Sequence, residues 1–208
     1  AGGSIARDNI VLTIPSGAFT SPTLVRLAPM TDPTLTLNGI SATRVFTLEW
    51  SGDGLTAAAP FFLDVGMVAP NAEYLLARRF VTERGSGFTP VERFASNASG
   101  ALSSVEPSSG ARLPGIRVGG TYALFPVAAR EGLLVGTARD AGGAALSDVL
   151  LEVSGRPWRA LTAASGTFAL LGLPGPVEVT ATRPPSTDTG RAGDTLASAA
   201  SSVTLTVV

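Results

Sequence analysis

The sequence predicts an all-β protein of two β-sandwich domains in tandem, and three observations lead there. Glycine and proline, 24 and 15 of 208 residues, punctuate the chain so closely that long helices have little room. Between them, short stretches alternate apolar with polar or small residues at a period of two, the pattern of a strand with one face buried. The charged fraction of 15% is well below the roughly 25% of an average soluble domain. Ser, Thr, Gly and Ala must therefore cover the surface, as they do in secreted β-proteins and assembled fibres.

The alternating stretches follow one another along the chain. Ile10, Leu12 and Ile14 form the first apolar row, Phe46, Leu48 and Trp50 the next, and Leu63, Val65 and Met67 a third. Later rows are Val149, Leu151 and Val153, then Phe168 and Leu170, Val177 and Val179, and finally Val203, Leu205 and Val207. Many short strands with closely spaced turn signals indicate sandwiches. Residues 71–84 hold good helix formers and no Gly or Pro. As a strand they place Tyr74, Leu76, Arg78 and Phe80 on one face, and the strand reading is preferred because the flanking Pro70-Asn71 and Gly85-Ser86-Gly87 are turn signals. Gly120 to Pro126 reads as a closing strand, Ala129-Arg130-Glu131 as a polar connector, and Gly132 to Gly136 as a new start. The expected domains are therefore residues 1–128 and 132–208, each long enough to bury a core of its own. Residues 184–200, rich in Pro, Thr, Ser, Gly and Ala, read as a long loop before the last strand. That last strand, from Ser202 to Val208, is β-branched and nearly uncharged. It is expected to be a central strand of the second sandwich, with pairing to another chain by strand addition as the alternative.

Within the second domain, the matching residues are Val135-Gly136-Thr137-Ala138-Arg139-Asp140, the turn Ala141-Gly142-Gly143, the run from Ala145 to Val153, Thr162 to Phe168, Leu171-Gly172-Leu173-Pro174-Gly175 and Val177-Glu178-Val179-Thr180-Ala181. This succession resembles the carboxypeptidase regulatory-like domain, a transthyretin-like seven-stranded sandwich. The family carries an acidic residue just ahead of the turn glycine, where this chain has Ala164-Ser165. The turns are legible without the family, since Gly142-Gly143 and Gly166 supply the positive φ that tight turns require. The resemblance implies a non-catalytic structural or interaction module.

The first domain carries Asn9-Ile10-Val11-Leu12-Thr13-Ile14-Pro15-Ser16-Gly17-Ala18-Phe19, then Pro22 to Leu27, Phe46 to Trp50 and Ala59 to Leu63. These segments look like the Ig-like β-sandwich domain shared by ankyrins and netrin receptors, which also occurs in bacterial surface proteins. Pro15 fixes φ and Gly17 relaxes it, so the strand ends in a pre-set turn. Some relatives cleave themselves at a His-Phe-Ser triplet. The nearest segment here, Arg93-Phe94-Ala95-Ser96, lacks it, and that activity is not carried over.

Composition excludes much chemistry. The chain has no Cys, no His and no Lys; all fifteen basic residues are Arg, and the formal net charge is −1. Disulfides, thiolate nucleophiles, Ser/His/Asp triads and Ser/Lys dyads are impossible, and the usual transition-metal ligands are missing. No basic patch is available to a nucleic acid, and no apolar run reaches the roughly 18 residues of a membrane span. The sixteen carboxylates are scattered singly. The nearest approach to a calcium loop, Asp188 to Asp194, lacks the Asp-x-Asp-x-Asp spacing and reads as a turn. Asn97-Ala98-Ser99 is a formal glycosylation triplet. No catalytic residue, cofactor or metal is expected.

The candidate partner-binding feature is Arg156-Pro157-Trp158-Arg159, in a loop after the strand around Val149 to Val153. A Trp between two Arg can stack on a sugar or anchor a protein, or it can fold back over its own sandwich edge. The small residues Ala1-Gly2-Gly3-Ser4 fit the downstream side of a signal-peptide cleavage site. The expectation is thus a non-catalytic structural or adhesive module of a secreted, cell-surface or filament-forming bacterial protein. It would have protein partners or associate with itself, with a glycan as a possible ligand, and with neither nucleic-acid binding nor membrane insertion. The alternative is a carbohydrate- or ligand-binding accessory module of a larger secreted enzyme.

Overall fold

The structure is a computed structural model. It describes residues 2–206 apart from 33–34, 38–39, 52–56, 58, 83–84, 106–112, 128–131, 155–158, 164, 173–174, 184–188 and 197–200. The protein is all-β, and the described residues contain strands, turns and no helix.

The chain divides into two compact units. Unit 1 comprises Ala1–Arg79, Val91–Val105 and Leu113–Val127; unit 2 comprises Phe80–Pro90, Glu106–Arg112 and Ala128–Val208. Unit 2 is therefore discontinuous in sequence. The chain passes from one unit to the other after Val127, and it also does so within the long hairpin of residues 73–96.

In unit 1, β1 (Gly3–Arg7) and β2 (Ile10–Ile14) form a hairpin, and β7 (Phe62–Asp64) pairs with the other edge of β2. The two-residue connection has φ of 44° at Asp8 and 64° at Asn9. Two successive positive values make the type I′ turn whose twist matches that of the strands it joins. The larger sheet has the order β10-β9-β8-β11-β6-β3, and two of its strands, β8 and β9, run on into the Phe80–Pro90 segment of unit 2. Its strands are β3 (Val25–Met30), β6 (Arg44–Trp50), β8 (Glu73–Thr82), β9 (Gly85–Ser96), β10 (Leu102–Ser104) and β11 (Gly120–Val127), while β4 (Thr36–Leu37) and β5 (Ile40–Ser41) form a small separate ladder. One core joins the two main sheets: Ile10 and Leu12 of β2 cluster with Phe46, Leu48, Leu76, Tyr122 and Leu124 of the larger sheet. Pro29 lies in the edge strand β3, where a missing N–H interrupts no inner ladder.

The ambiguous segment of residues 71–84 contains the strand β8 (Glu73–Thr82), and residues 83–84 lie outside the described residues. Tyr74 and Leu76 enter the core as the alternation predicts, yet Leu75 and Ala77 are also buried. A strand buried on both faces loses its alternation, and that is why its sequence resembles a helix. Val65 is buried as expected, whereas Met67, of the same predicted row, is 69% exposed.

Unit 2 holds a three-stranded sheet in the order β15-β12-β18 and a four-stranded sheet in the order β14-β13-β16-β17. The strands are β12 (Gly132–Arg139), β13 (Leu150–Val153), β14 (Arg159–Leu161), β15 (Thr167–Gly172), β16 (Gly175–Thr182), β17 (Thr189–Leu196) and β18 (Ser201–Thr206). Gly143 and Gly166 have φ of 85° and 73°, as their turns require, whereas Gly142, expected to share that conformation, does not adopt it: one left-handed residue suffices for the turn. Gly17, after the first strand pair of unit 1, has 77°.

Two expectations are corrected or sharpened here. The loop expected over residues 184–200 instead contains β17, which pairs with β16 over eight successive positions from Thr182↔Thr189 to Gly175↔Leu196. A ladder is made by backbone groups, so a polar, glycine-containing strand forms wherever a partner offers a complete row of donors and acceptors. The final strand pairs within its own unit, but it is not the central strand expected: β18 lies parallel to β12 and is the edge strand of its sheet, since β12 alone offers it a ladder there.

Candidate functional site

The segment singled out by sequence lies between β13 and β14. Arg156, Pro157 and Trp158 fall outside the described residues, so only Arg159 is placed. It opens β14 directly across from Glu152 of β13, and its Nε donates to Glu152 Oε1 at 2.7 Å, with both side chains a little over one-third exposed. The pairing follows from register, because facing residues of opposite charge on adjacent strands meet without strain. Arg159 is thereby engaged in a cross-strand ion pair.

Other residues of unit 2 border this hairpin. The Leu161 N–H donates to Thr89 Oγ1 at 3.5 Å. Gly87 sits so close to Phe80 and Arg159 that a Cβ there would come within 2.7 Å of the Phe80 ring and 3.1 Å of the Arg159 Cβ. Glycine is what permits that approach. These contacts hold β14 at both of its ends, Arg159 by Gly87 and Leu161 by Thr89.

Elsewhere, polar side chains with chemical potential are tied to the main chain. The buried Thr162 hydroxyl donates to the Leu146 carbonyl at 2.7 Å and accepts from the Val149 N–H at 3.0 Å. Ser96 Oγ donates to the Ala69 carbonyl at 2.7 Å and accepts from the Ala72 N–H at 2.9 Å. In the formal glycosylation triplet, Asn97 Oδ1 accepts from the Ser99 N–H, the Ser99 hydroxyl and the Ala101 N–H at 2.9, 2.7 and 3.0 Å. That carboxamide organises the β9–β10 turn.

Tyr122 is fully buried, and its hydroxyl donates to the Val118 carbonyl four residues upstream. Burial pushes the phenol pKa up to about 12, against smaller opposing effects of the Arg78 charge and the Val118 hydrogen bond. At neutral pH it is a hydrogen-bond donor. Burial likewise raises the Glu92 carboxyl above its ordinary value, opposed by a hydrogen bond with Ser104. Glu73 and Arg93 form a part-buried ion pair at 2.6 Å. Among the described residues, no three His, Cys, Asp or Glu side chains gather to hold a metal. The segment from Asp188 to Asp194 belongs largely to β17 and is a ladder strand from Thr189 onward.

The hydroxyls of Thr162 and Tyr122 were not singled out from sequence, since their partners are main-chain groups that no residue pattern advertises. The only signal was Gly119-Gly120-Thr121-Tyr122, a tyrosine just inside a strand that glycines introduce.

No family model matches the chain, and no curated protein matches it either. Among solved structures, it is similar to one described as the Bacillus anthracis TIE protein, with 11% identity and a TM-score of 0.31 over 93% of this chain and 42% of that one. The chain thus spans less than half the length of that structure.

Proposed function

We propose that the chain is a pair of β-sandwich modules acting as a non-catalytic structural or adhesive part of a secreted, cell-surface or filament-forming bacterial protein. The observation that carries this reading is the use made of buried hydroxyls. Ser96, Thr162 and Tyr122 all bond main-chain groups of connecting segments, so their polarity fixes the framework and serves no reacting group. A chain without His, Cys or Lys has few other groups for acid–base or nucleophilic chemistry.

Two features support the sandwich architecture. In unit 1 a tyrosine hydroxyl bonded to the backbone a few residues upstream is the tyrosine corner of Greek-key sandwiches, and Tyr122 with Val118 has that form. In unit 2 the sheets of three and four strands make the seven of a transthyretin-like module, in keeping with the carboxypeptidase regulatory-like resemblance. The protein partner would meet the Arg156-Trp158 segment or another copy of the chain.

The test is to label intact source cells with antibodies against the purified chain and to screen the same protein on a glycan array. Surface label removed by external protease, with a blank array, upholds the reading. Label confined to the cytosol overturns it. Saturable glycan binding that Trp158→Ala abolishes turns it into the accessory-module reading.

A further inference from the structure

We propose that unit 2 is a shear clamp, built to resist tension drawn along the chain from upstream of β12 to downstream of β18. The inference rests on reading the protein as a structural element, and it names the stress that element withstands.

The argument is one of direction. β12 and β18 are the first and last strands of the continuous part of unit 2, and they are direct neighbours in one sheet. They run parallel, in register over six positions from Leu134↔Ser201 to Arg139↔Thr206. Pull the start of one strand and the finish of its parallel neighbour in opposite directions, and the two must slide lengthwise past each other. The evenly spaced, slanted hydrogen bonds of a parallel pair then stretch together and fail together. Pull the same two strands apart from one shared end, and the bonds open one after another. A single hydrogen bond contributes little net stability on its own, so resistance depends on whether the bonds act at once.

The strand that takes up the pull is also held on its other edge. β15 pairs with β12 over six positions from Gly132↔Gly172 to Thr137↔Thr167. Beyond that ladder, the Ala138 N–H donates to the Gly166 carbonyl at 2.9 Å, the Leu146 N–H donates to the Ala138 carbonyl at 3.0 Å, and Arg139 bridges Ala145. β12 is thus fastened along its length, and the β12–β18 interface is where sliding would begin. The arrangement is particular to unit 2: in unit 1 the first strand β1 and the last strand β11 belong to different sheets.

The experiment uses the full chain, whose lack of cysteine makes introduced thiols unique. One variant carries Glu131→Cys and a cysteine appended after Val208, the start-to-finish geometry. The other carries Ala141→Cys, in the turn after β12, with the same appended cysteine, so that both handles lie at one end of the parallel pair. DNA handles and optical tweezers then give the unfolding force of unit 2 at equal loading rate, and thermal melts establish that the two variants are equally stable at rest. The expected result is a force severalfold higher in the start-to-finish geometry. Equal forces, or a higher force in the shared-end geometry, overturn the clamp. The measurement is independent of where the protein resides. A low shear force therefore removes the clamp and leaves the surface reading standing, while cytosolic label removes the surface reading and leaves the force unchanged.

Discussion

Phe46 and Tyr122 stack almost parallel, with ring centroids 5.5 Å apart and 12° between their planes. They face each other across the β6–β11 ladder, so cross-strand register places both rings in the core while the Tyr122 hydroxyl reaches the Val118 carbonyl. Tyr122→Phe keeps the ring and removes the hydroxyl. The expected loss is about 1–2 kcal/mol, since the Val118 carbonyl is left without that donor; urea unfolding of the two proteins measures it.

The same group gives an alkaline signature. Its folded pKa of about 12 stands above the ordinary 10.0, so between those values the folded state holds a proton that the unfolded chain has released. The stability linked to Tyr122 is complete below pH 10 and lost as pH rises towards 12. Tyr122→Phe should flatten the fall in melting temperature over that interval, and an unchanged fall would contradict the assignment.

Glu92 titrates with the same sign at the acidic end. Burial raises its carboxyl pKa, so the stability linked to it is complete below the ordinary value of 4.5 and declines as pH rises through the folded value. Glu92→Gln can keep a hydrogen bond with Ser104 and removes the charge. The variant should be more stable than the parent at neutral pH, with the difference closing under acid, as chemical unfolding at several pH values would show.

Thr162 holds two buried backbone groups at once. Thr162→Val, similar in shape but without the hydroxyl, should cost about 2–3 kcal/mol, because both the Val149 N–H and the Leu146 carbonyl lose their partner. Thr162→Ser should recover most of that loss, as read from denaturant midpoints.

Gly100 and Gly143 separate backbone strain from steric clash. Both have positive φ, 83° and 85°. A Cβ at Gly143 would meet nothing, whereas one at Gly100 would land on the Val68 carbonyl oxygen. Gly143→Ala should cost about 1 kcal/mol, the conformational penalty alone, and Gly100→Ala clearly more. Equal melting temperatures for the two variants would refute the close approach of Gly100 to Val68.

What the sequence made legible follows from how each element is stabilised. β2 and β6 announced themselves because Ile10, Leu12 and Ile14, and Phe46, Leu48 and Trp50, form unbroken apolar rows, while Thr13, Thr47 and Glu49 interrupt the opposite faces. β8 was ambiguous because Tyr74, Leu75, Leu76 and Ala77 are all buried, which erases the period of two. β17 was missed because its pairing with β16 is made by main-chain groups, and polar residues conceal it. Arg159 was legible as a charged neighbour of Trp158, but its engagement with Glu152 depends on a hairpin register that the sequence does not spell out. Arg156 and Trp158 lie outside the described residues.

The discontinuity of unit 2 has a consequence in the order of synthesis. Its segment Phe80–Pro90 leaves the ribosome before the last piece of unit 1, Leu113–Val127, has been made. Domains usually complete one after another as they emerge. Here the earlier unit must close while a stretch of nascent chain belonging to its successor stays exposed, and the successor cannot finish until β18, its own last strand in sequence, is released.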